Sequence, residues 1–284
     1  MTSRSARAAW SSRSICRRFS TTRSTRRRPT VIDAGPRGRR LVASAAGLAG
    51  FLLLWEGILR LGLLPNTLVP LPSAIPGVLA QEIRDGIWQT MVVSSLQHYG
   101  IGLLLGSSLG IAVGMSAAMF PAFDAVHAWL ARLLRPIPPL AWIPFAIIWF
   151  GITPTAAAFI ISIGVFWINY FASYSAVDAI DPGYQELAAA FGQNQPLVRL
   201  RKITLPAAAP GILGGLRAGL GQGWMTVVAA ELFGITGIGQ RMMEASSLLA
   251  TDIVVVYMLT IAGLYALVDA VFVMLQRRIL QWQY

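Results

Sequence analysis

The stretch Asp178–Pro210 reads DAIDPGYQELAAAFGQNQPLVRLRKITLPAAAP and forms a polar island in a very apolar chain. It carries three acidic and three basic residues, and apolar segments long enough to cross a bilayer lie on both sides of it. A polar loop of 33 residues with helical patterns of its own is longer than a simple connection needs. We therefore predict that a soluble partner docks on it.

The composition indicates an integral membrane protein. Hydrophobic residues make up 55% of the chain and charged residues 12%, with a mean hydropathy of +0.61, whereas soluble domains carry about 25% charged residues. The net charge of +11 arises in residues 1–40, which hold 12 arginines and one acid, so residues 41–284 are neutral overall. We therefore predict no nucleic-acid-binding surface. One cysteine and two separated histidines predict no metal site.

Residues 1–40 and 41–284 are predicted to be separate domains. The first is interpreted as an Arg-rich disordered cytoplasmic tail, with an organellar transit peptide as the alternative. The second is predicted to be the transmembrane domain, with six candidate spans of about 20 residues or more, as a bilayer requires. These are residues 41–64, 91–119, 133–150, 155–175, 211–233 and 253–275. Prolines interrupt the third span, so a broken helix that faces protein rather than lipid is expected there.

The positions of the basic residues predict the orientation of the chain in the membrane. Cytoplasmic loops are enriched in Lys and Arg. With six spans and a cytoplasmic N-terminus, only Arg60, Arg84 and Arg241 of the 23 basic residues fall on the outer side. Both termini and the polar island are therefore predicted to be cytoplasmic.

Two glycine ladders predict close contacts between helices. Glycines at a spacing of four lie on one helix face and let a neighbouring helix approach closely. The ladders are Gly102, Gly106, Gly110 and Gly114 in the second span, and Gly211, Gly215, Gly219 and Gly223 in the fifth. Ordinary tight packing is one interpretation, and sliding of these faces during transport is the other.

Several polar and aromatic residues in the spans are candidates for lining a transport path. They are Asn169, Tyr170, Gln222, Trp224 and Thr226, together with the acidic Glu231. Ionisable residues inside spans are functional candidates by default. For Glu231, a structural hydrogen-bond anchor is the alternative interpretation.

The island itself has an ordered pattern. Residues 184–191 predict a short helix, and Gly192 is a suitable C-terminal stop. Pro196 can then open a second, amphipathic helix, after which Pro206 and Pro210 lead into the fifth span.

This pattern resembles the cytoplasmic signature of permease subunits in binding-protein-dependent ABC importers. That signature is Glu-Ala-Ala, a glycine six residues after the Glu, and an apolar-x-Leu-Pro ending. The matching residues here are Glu186, Ala188, Gly192, Ile203, Leu205 and Pro206, and the resemblance implies that these residues and the adjacent Ala189 couple the chain to the ATPase. Leu187 replaces the first alanine, and the spacing from Gly192 to Pro206 is one residue longer than usual. Residues 71–80 resemble the family's approach to its second span, and residues 135–152 and 215–234 resemble its nitrate/sulfonate/taurine branch.

The resemblance implies an all-α integral membrane fold, that of a type I ABC importer permease with six transmembrane helices and cytoplasmic coupling helices. It also implies a homodimer that works with two ATPase subunits and an extracytoplasmic solute-binding protein in the bacterial cytoplasmic membrane. The expected solute is a small sulfonate, taurine or nitrate. The chain has no G-x-x-x-x-G-K-[ST] motif. It is therefore predicted to be non-catalytic and to hold no cofactor, with ATP and Mg²⁺ bound by the partner ATPase.

An ion-coupled secondary transporter that acts without an ATPase is the alternative. Such carriers often contain repeated halves and intramembrane charges. Here the two halves of the sequence do not repeat, and the polar island has no role in that mechanism.

Overall fold

The computed structural model describes residues 37–63, 65, 68–181, 183–184, 186, 190–192 and 195–281. In this part of the chain the secondary structure is helical, without strands. The chain divides into two units, residues 1–51 and residues 52–284. The described part of the first unit is residues 37–51 of helix α1, which begins at Arg37, inside the segment assigned to the tail from the sequence. Residues 1–36 lie outside the described residues.

The described residues contain ten α-helices, and the longest connections between them are residues 61–74 and 179–195. The helices are α1 (Arg37–Arg60), α2 (Ile75–Arg84), α3 (Ile87–Met119), α4 (Pro121–Leu134), α5 (Ile143–Phe150), α6 (Pro154–Asp178), α7 (Pro196–Arg199), α8 (Leu205–Glu231), α9 (Ile238–Ser247) and α10 (Thr251–Ile279). The predicted spans correspond in position to α1, α3, the α4–α5 region, α6, α8 and α10. The sequence did not predict α2, α4 or α9 as separate helices.

Three helices are long and apolar enough to cross a membrane, judged by length and composition in the described residues. These are α3, α6 and α10, with mean hydropathies of 1.8, 1.7 and 2.1. Helix α4 and the segment Pro139–Phe150 add a fourth candidate if they count as one span bent by 92°. Helix α8 has 27 residues but is less apolar, because it contains Arg217, Gln222 and several glycines. The all-α fold is confirmed, and the count of six spans stays a prediction.

Helices α3, α6 and α8 form the centre of the second unit. Gly102 of α3 lies against Ile161 of α6, and Gly114 lies against Tyr170. The residue numbers of the contacting pairs increase together along the two helices, so α3 and α6 run parallel. Two parallel neighbours need a return of the chain between them, and α4 with α5 provides it. The bent pair therefore carries the chain back from the end of α3 to the start of α6.

Helix α8 runs antiparallel to α6 and uses the second glycine ladder. Gly211 lies against Ala176, whereas Gly223, twelve residues later, lies against Tyr99 and Val165. A Cβ atom added to Gly211 would approach the Ala176 Cβ to 2.6 Å. Helices α6 and α8 are therefore so close at this position that only glycine fits without a shift, in agreement with the packing interpretation of the ladder.

In the proline-rich break between α4 and α5, one face of α5 packs against other helices and the opposite face is exposed. Ile143 and Ala146 of α5 are buried in a cluster with Ala156 and Ile160 of α6. On the other side of α5, Ile148 is 76% exposed in the chain. The expectation that this segment faces protein is therefore met on one side of α5 only.

The second helix of the island is continuous with α8. Residues Leu200–Thr204 form a π-helical turn between α7 and α8, so Pro206 and Pro210 lie within the helix instead of leading into a separate span. Proline has no N–H to donate and crowds the preceding turn. The wider π turn contains Lys202, whose carbonyl the Pro206 ring would otherwise crowd, so the helix continues through Pro206.

Candidate functional site

Asn169 lies at the junction of the three central helices. Its side chain is 1% exposed, and its Nδ2 donates hydrogen bonds to Ser107 Oγ at 3.3 Å and to the Val165 carbonyl at 3.0 Å. A Cβ on Gly219 would approach Nδ2 to 2.8 Å. The glycine of α8 therefore leaves the space that this amide occupies.

Trp224, Thr226 and Tyr170 also lie in helix contacts. The indole of Trp224 stacks on the ring of Tyr99 with centroids 4.6 Å apart. Thr226 is buried, and its hydroxyl donates to the Gln222 carbonyl at 2.9 Å. The hydroxyl of buried Tyr170 lies 3.2 Å from Nδ1 of His127 in α4. The structure thus places these three path candidates in the packing between helices.

Gln222 differs from its neighbours because it lines a cavity. The cavity lies beside the α4–α5 break and has a volume of about 400 Å³. The Gln222 amide nitrogen is 3.4 Å from Thr226 Oγ1. Arg135 lines the same cavity, and its guanidinium carbon lies 4.4 Å from the centre of the Phe171 ring. No sequence pattern indicated that Arg135 and Gln222 would line the same cavity.

Glu231, the last residue of α8, is fully buried and serves as a hydrogen-bond anchor. Its carboxylate accepts hydrogen bonds from Ser95 Oγ at 2.7 Å and from the Gly239 N–H at 2.8 Å, and it lies 3.1 Å from His98 Nδ1. Ser95 Oγ accepts the Ile238 N–H at 2.9 Å. The first N–H groups of a helix lack intrahelical partners. This network therefore satisfies the start of α9 and joins it to α3 and α8.

A second polar cluster joins α2, α9 and α10. Buried Glu82 accepts hydrogen bonds from the Arg241 guanidinium, the shortest at 2.6 Å, and from the Tyr257 hydroxyl at 2.8 Å. Burial raises the pKa of Glu82, but the hydrogen bonds and the positive charge of Arg241 outweigh burial and hold the pKa below its usual value. No local sequence pattern indicated this cluster, because Glu82 is more than 150 residues from both Arg241 and Tyr257.

The polar island presents exposed residues of both short helices. Glu186 and Gly192 are exposed, Ile203 is half-buried, and Leu205 and Pro206 are exposed. Gly192 has a φ of +70° in the turn between the helices. Ala188 and Ala189 lie outside the described residues. The aromatic side chains of Tyr184 and Phe191 are also exposed, although neither belongs to the signature that predicted the docking residues.

The base of the island rests on the central helices. Ala208 and Ile212 of α8 are buried against Met115 of α3 and Val177 of α6, and Leu200 contacts the same cluster. The second island helix therefore meets α3, α6 and α8 at one end of the central bundle.

No metal site was found in the described part of the chain. It contains no group of three or more His, Cys, Asp or Glu side chains that could hold an ion.

Comparisons with known proteins agree with this arrangement. Residues 106–281 match the family described as "Binding-protein-dependent transport system inner membrane component". The chain is 32% identical over 254 residues to the taurine transport system permease protein TauC of Escherichia coli, covering 87% of this chain and 92% of TauC. It is 30% identical to the bicarbonate transport system permease protein CmpB of Synechococcus elongatus, covering 83% and 88% of the two chains.

A solved structure shows the same fold. The inward-facing MetNI methionine ABC transporter matches with a TM-score of 0.57 and 20% identity, covering 70% of this chain and 97% of the solved chain. The family match begins at residue 106 within α3 and spans the break between α4 and α5, helices α6 and α8, the island and α10. The chain therefore belongs to the binding-protein-dependent inner-membrane permeases of ABC transporters.

Proposed function

We propose that this chain is the permease of an ATP-driven importer for a small oxyanion, of the taurine, sulfonate, nitrate or bicarbonate class. The observation that carries the proposal is the 32% identity to a taurine permease over 87% of the chain. The similarity to a bicarbonate permease supports an anionic solute. ATP and Mg²⁺ would be bound by the partner, because this chain has no phosphate-binding loop.

The polar island is the proposed docking site for the ATPase. Exposed Tyr184, Glu186 and Phe191 form its accessible surface. Exposed aromatic side chains are typical of protein interfaces. The buried contacts of Ala208 and Leu200 connect the island to the central helices. A movement of the docked ATPase would therefore reach α3, α6 and α8 directly.

The full transporter would contain two copies of this permease, two ATPase subunits and an extracytoplasmic solute-binding protein. It would lie in the bacterial cytoplasmic membrane, with both termini and the island in the cytoplasm. An exposed ion pair supports protein contact on the α8–α10 face. Arg217 and Asp269 form two hydrogen bonds of 2.8 and 2.9 Å, with the arginine side chain 51% exposed. Charges at membrane depth face protein or water rather than lipid.

Reconstitution tests the proposal against an ion-coupled carrier. The permease would be placed in proteoliposomes together with a candidate ATPase subunit and a candidate solute-binding protein from the same organism, and uptake of taurine, methanesulfonate, nitrate and bicarbonate would be measured. We expect uptake of at least one of these anions that requires ATP on the ATPase side and is insensitive to ionophores. Uptake by the permease alone, driven by a Na⁺ or H⁺ gradient, would show a secondary transporter instead.

A further inference from the structure

The cavity beside the α4–α5 break has the size and the polar groups of a small-molecule site. Its volume is about 400 Å³, and ligand pockets commonly enclose about 300–1,000 Å³. Three elements form its walls, namely the proline-rich break, α6 and α8. The residues that matter for its chemistry are Arg135, Pro138, Trp167, Phe171 and Gln222.

Arg135 is the cationic residue of the cavity wall. Its guanidinium lies over the Phe171 ring, which stabilises the side chain without neutralising its charge. Among the described residues, no carboxylate lies within ion-pair distance of Arg135. Its positive charge is therefore available to a ligand.

The cavity lies at membrane depth. With a rise of about 1.5 Å per residue, Gly164 and Phe171 are about 15 and 26 Å along α6 from its first residue, in a helix about 37 Å long. Because α8 is antiparallel to α6, its last residue lies at the same end of the bundle as the first residue of α6, and Gln222 is about 14 Å from that last residue. Both estimates place the cavity inside a hydrocarbon core about 30 Å thick. A charged side chain at this depth usually faces a water-filled cavity or the protein interior and marks a solute path.

We propose that this cavity is a weak binding site for one small oxyanion, a sulfonate or a solute of similar shape and charge, on the path through the membrane. This inference rests on the proposed function and adds a site to it. The Arg135 guanidinium can donate two hydrogen bonds to the oxygens of a sulfonate, and the Gln222 amide can donate another. The rings of Trp167 and Phe171 can contact the carbon part of the solute. A single positive charge keeps binding weak, and weak binding permits release.

Charge-selective cysteine labelling tests the site directly. Ile168 lines the same cavity, so Ile168→Cys in a Cys16→Ser background places a thiol there. The full-length permease in nanodiscs would react with an anionic and with a neutral methanethiosulfonate reagent of similar size. We expect Arg135→Gln to lower the ratio of the anionic rate to the neutral rate about tenfold, as one nearby charge in a partly hydrated site implies. Arg135→Lys should retain most of the preference.

The control is Arg132→Gln, which removes a positive charge one turn earlier without touching the cavity wall and should leave the ratio unchanged. Methanesulfonate should slow labelling of the parent protein, whereas methylammonium should not. Size-exclusion profiles would show that each variant stays folded. An unreactive Ile168→Cys, an unchanged ratio in Arg135→Gln, or no protection by methanesulfonate would overturn the assignment.

The labelling outcome is separable from that of the proposed function, because labelling requires neither ATP nor the partner proteins. Loss of charge selectivity with intact ATP-driven uptake would reject the cavity site alone. Normal charge selectivity together with uptake that does not depend on ATP would reject the importer mechanism alone.

Discussion

Gly192 shows how one backbone angle determines the shape of the proposed docking surface. Its φ of +70° lies in the left-handed region, and a Cβ at this position would meet no atom within 4 Å. The requirement for glycine is therefore conformational rather than steric. β-Branched residues are strongly disfavoured in this region, whereas Asn tolerates it.

We predict that Gly192→Val weakens ATPase binding and uptake by the assembled transporter, while Gly192→Asn retains most of both. The left-handed conformation costs about 1–2 kcal/mol for an ordinary L-residue, and a β-branched side chain adds to this cost. The measurement is ATPase recovered with the affinity-purified permease, together with ATP-driven uptake. Equal recovery with Val and Asn would contradict the role of this turn.

Gly106 illustrates the second use of glycine in this chain, which is close approach. A Cβ on Gly106 would lie 2.5 Å from the Ser162 carbonyl oxygen of α6. A backbone atom cannot move aside as a flexible side chain can, so the helices would have to separate. Overpacking of this kind typically costs about 1–3 kcal/mol.

Gly106→Ala should therefore lower the melting temperature of the purified permease. Gly100→Ala is the matched control in the same helix, because a Cβ there meets no atom within 4 Å. Melting would be followed by size-exclusion chromatography after heating. A Gly106→Ala protein as stable as the Gly100→Ala protein would refute the close contact between α3 and α6.

At the scale of elements, the first N–H groups of α9 find their hydrogen-bond acceptors in side chains of other helices. The Gly239 N–H donates to Glu231, and the Ile238 N–H donates to Ser95. Replacing the carboxylate by an amide removes one acceptor oxygen in a fully buried position. A buried polar group left without its partner costs about 1–3 kcal/mol.

We predict that Glu231→Gln increases hydrogen exchange in the first turn of α9, measured by mass spectrometry of peptides covering residues 235–247. Glu244→Gln changes an exposed acid of the same helix and should leave exchange unchanged. Protection of α9 that is identical in the two variants would show that the Glu231 network does not fasten this helix.

At the scale of the whole molecule, helix direction and charge distribution support the same topology. Parallel α3 and α6 with antiparallel α8 place the island at the opposite end from the connection between α9 and α10. The distribution of Lys and Arg assigns the island end to the cytoplasm.

Cysteine accessibility provides the corresponding test. In a Cys16→Ser background, Ser247→Cys should react with a membrane-impermeant thiol reagent in intact cells. Gln193→Cys should react only after the membrane is permeabilised. Labelling of Gln193→Cys from outside would reverse the proposed orientation.

The sequence by itself determined the features that depend on local pattern. Apolar segments of suitable length predicted the all-α membrane fold, and the motif from Glu186 to Pro206 predicted the permease family. Both predictions were confirmed. The spacing of the glycines predicted which helix faces pack closely, because residues four apart share a face in any helix. These properties need only neighbouring residues, so one sequence was enough to predict them.

Only the tertiary structure decided which distant groups meet. The partners of Glu231 in α3 lie 133 and 136 residues away, and no periodicity connects them. The sequence did not indicate that Arg135 lies beside Phe171 and Gln222, a contact that forms where the chain bends by 92° between α4 and α5. Continuity of the island helix with α8 likewise depends on a π turn that provides space for Pro206. Helix directions and bends determine these contacts, and they result from the packing of the whole second unit rather than from any local segment.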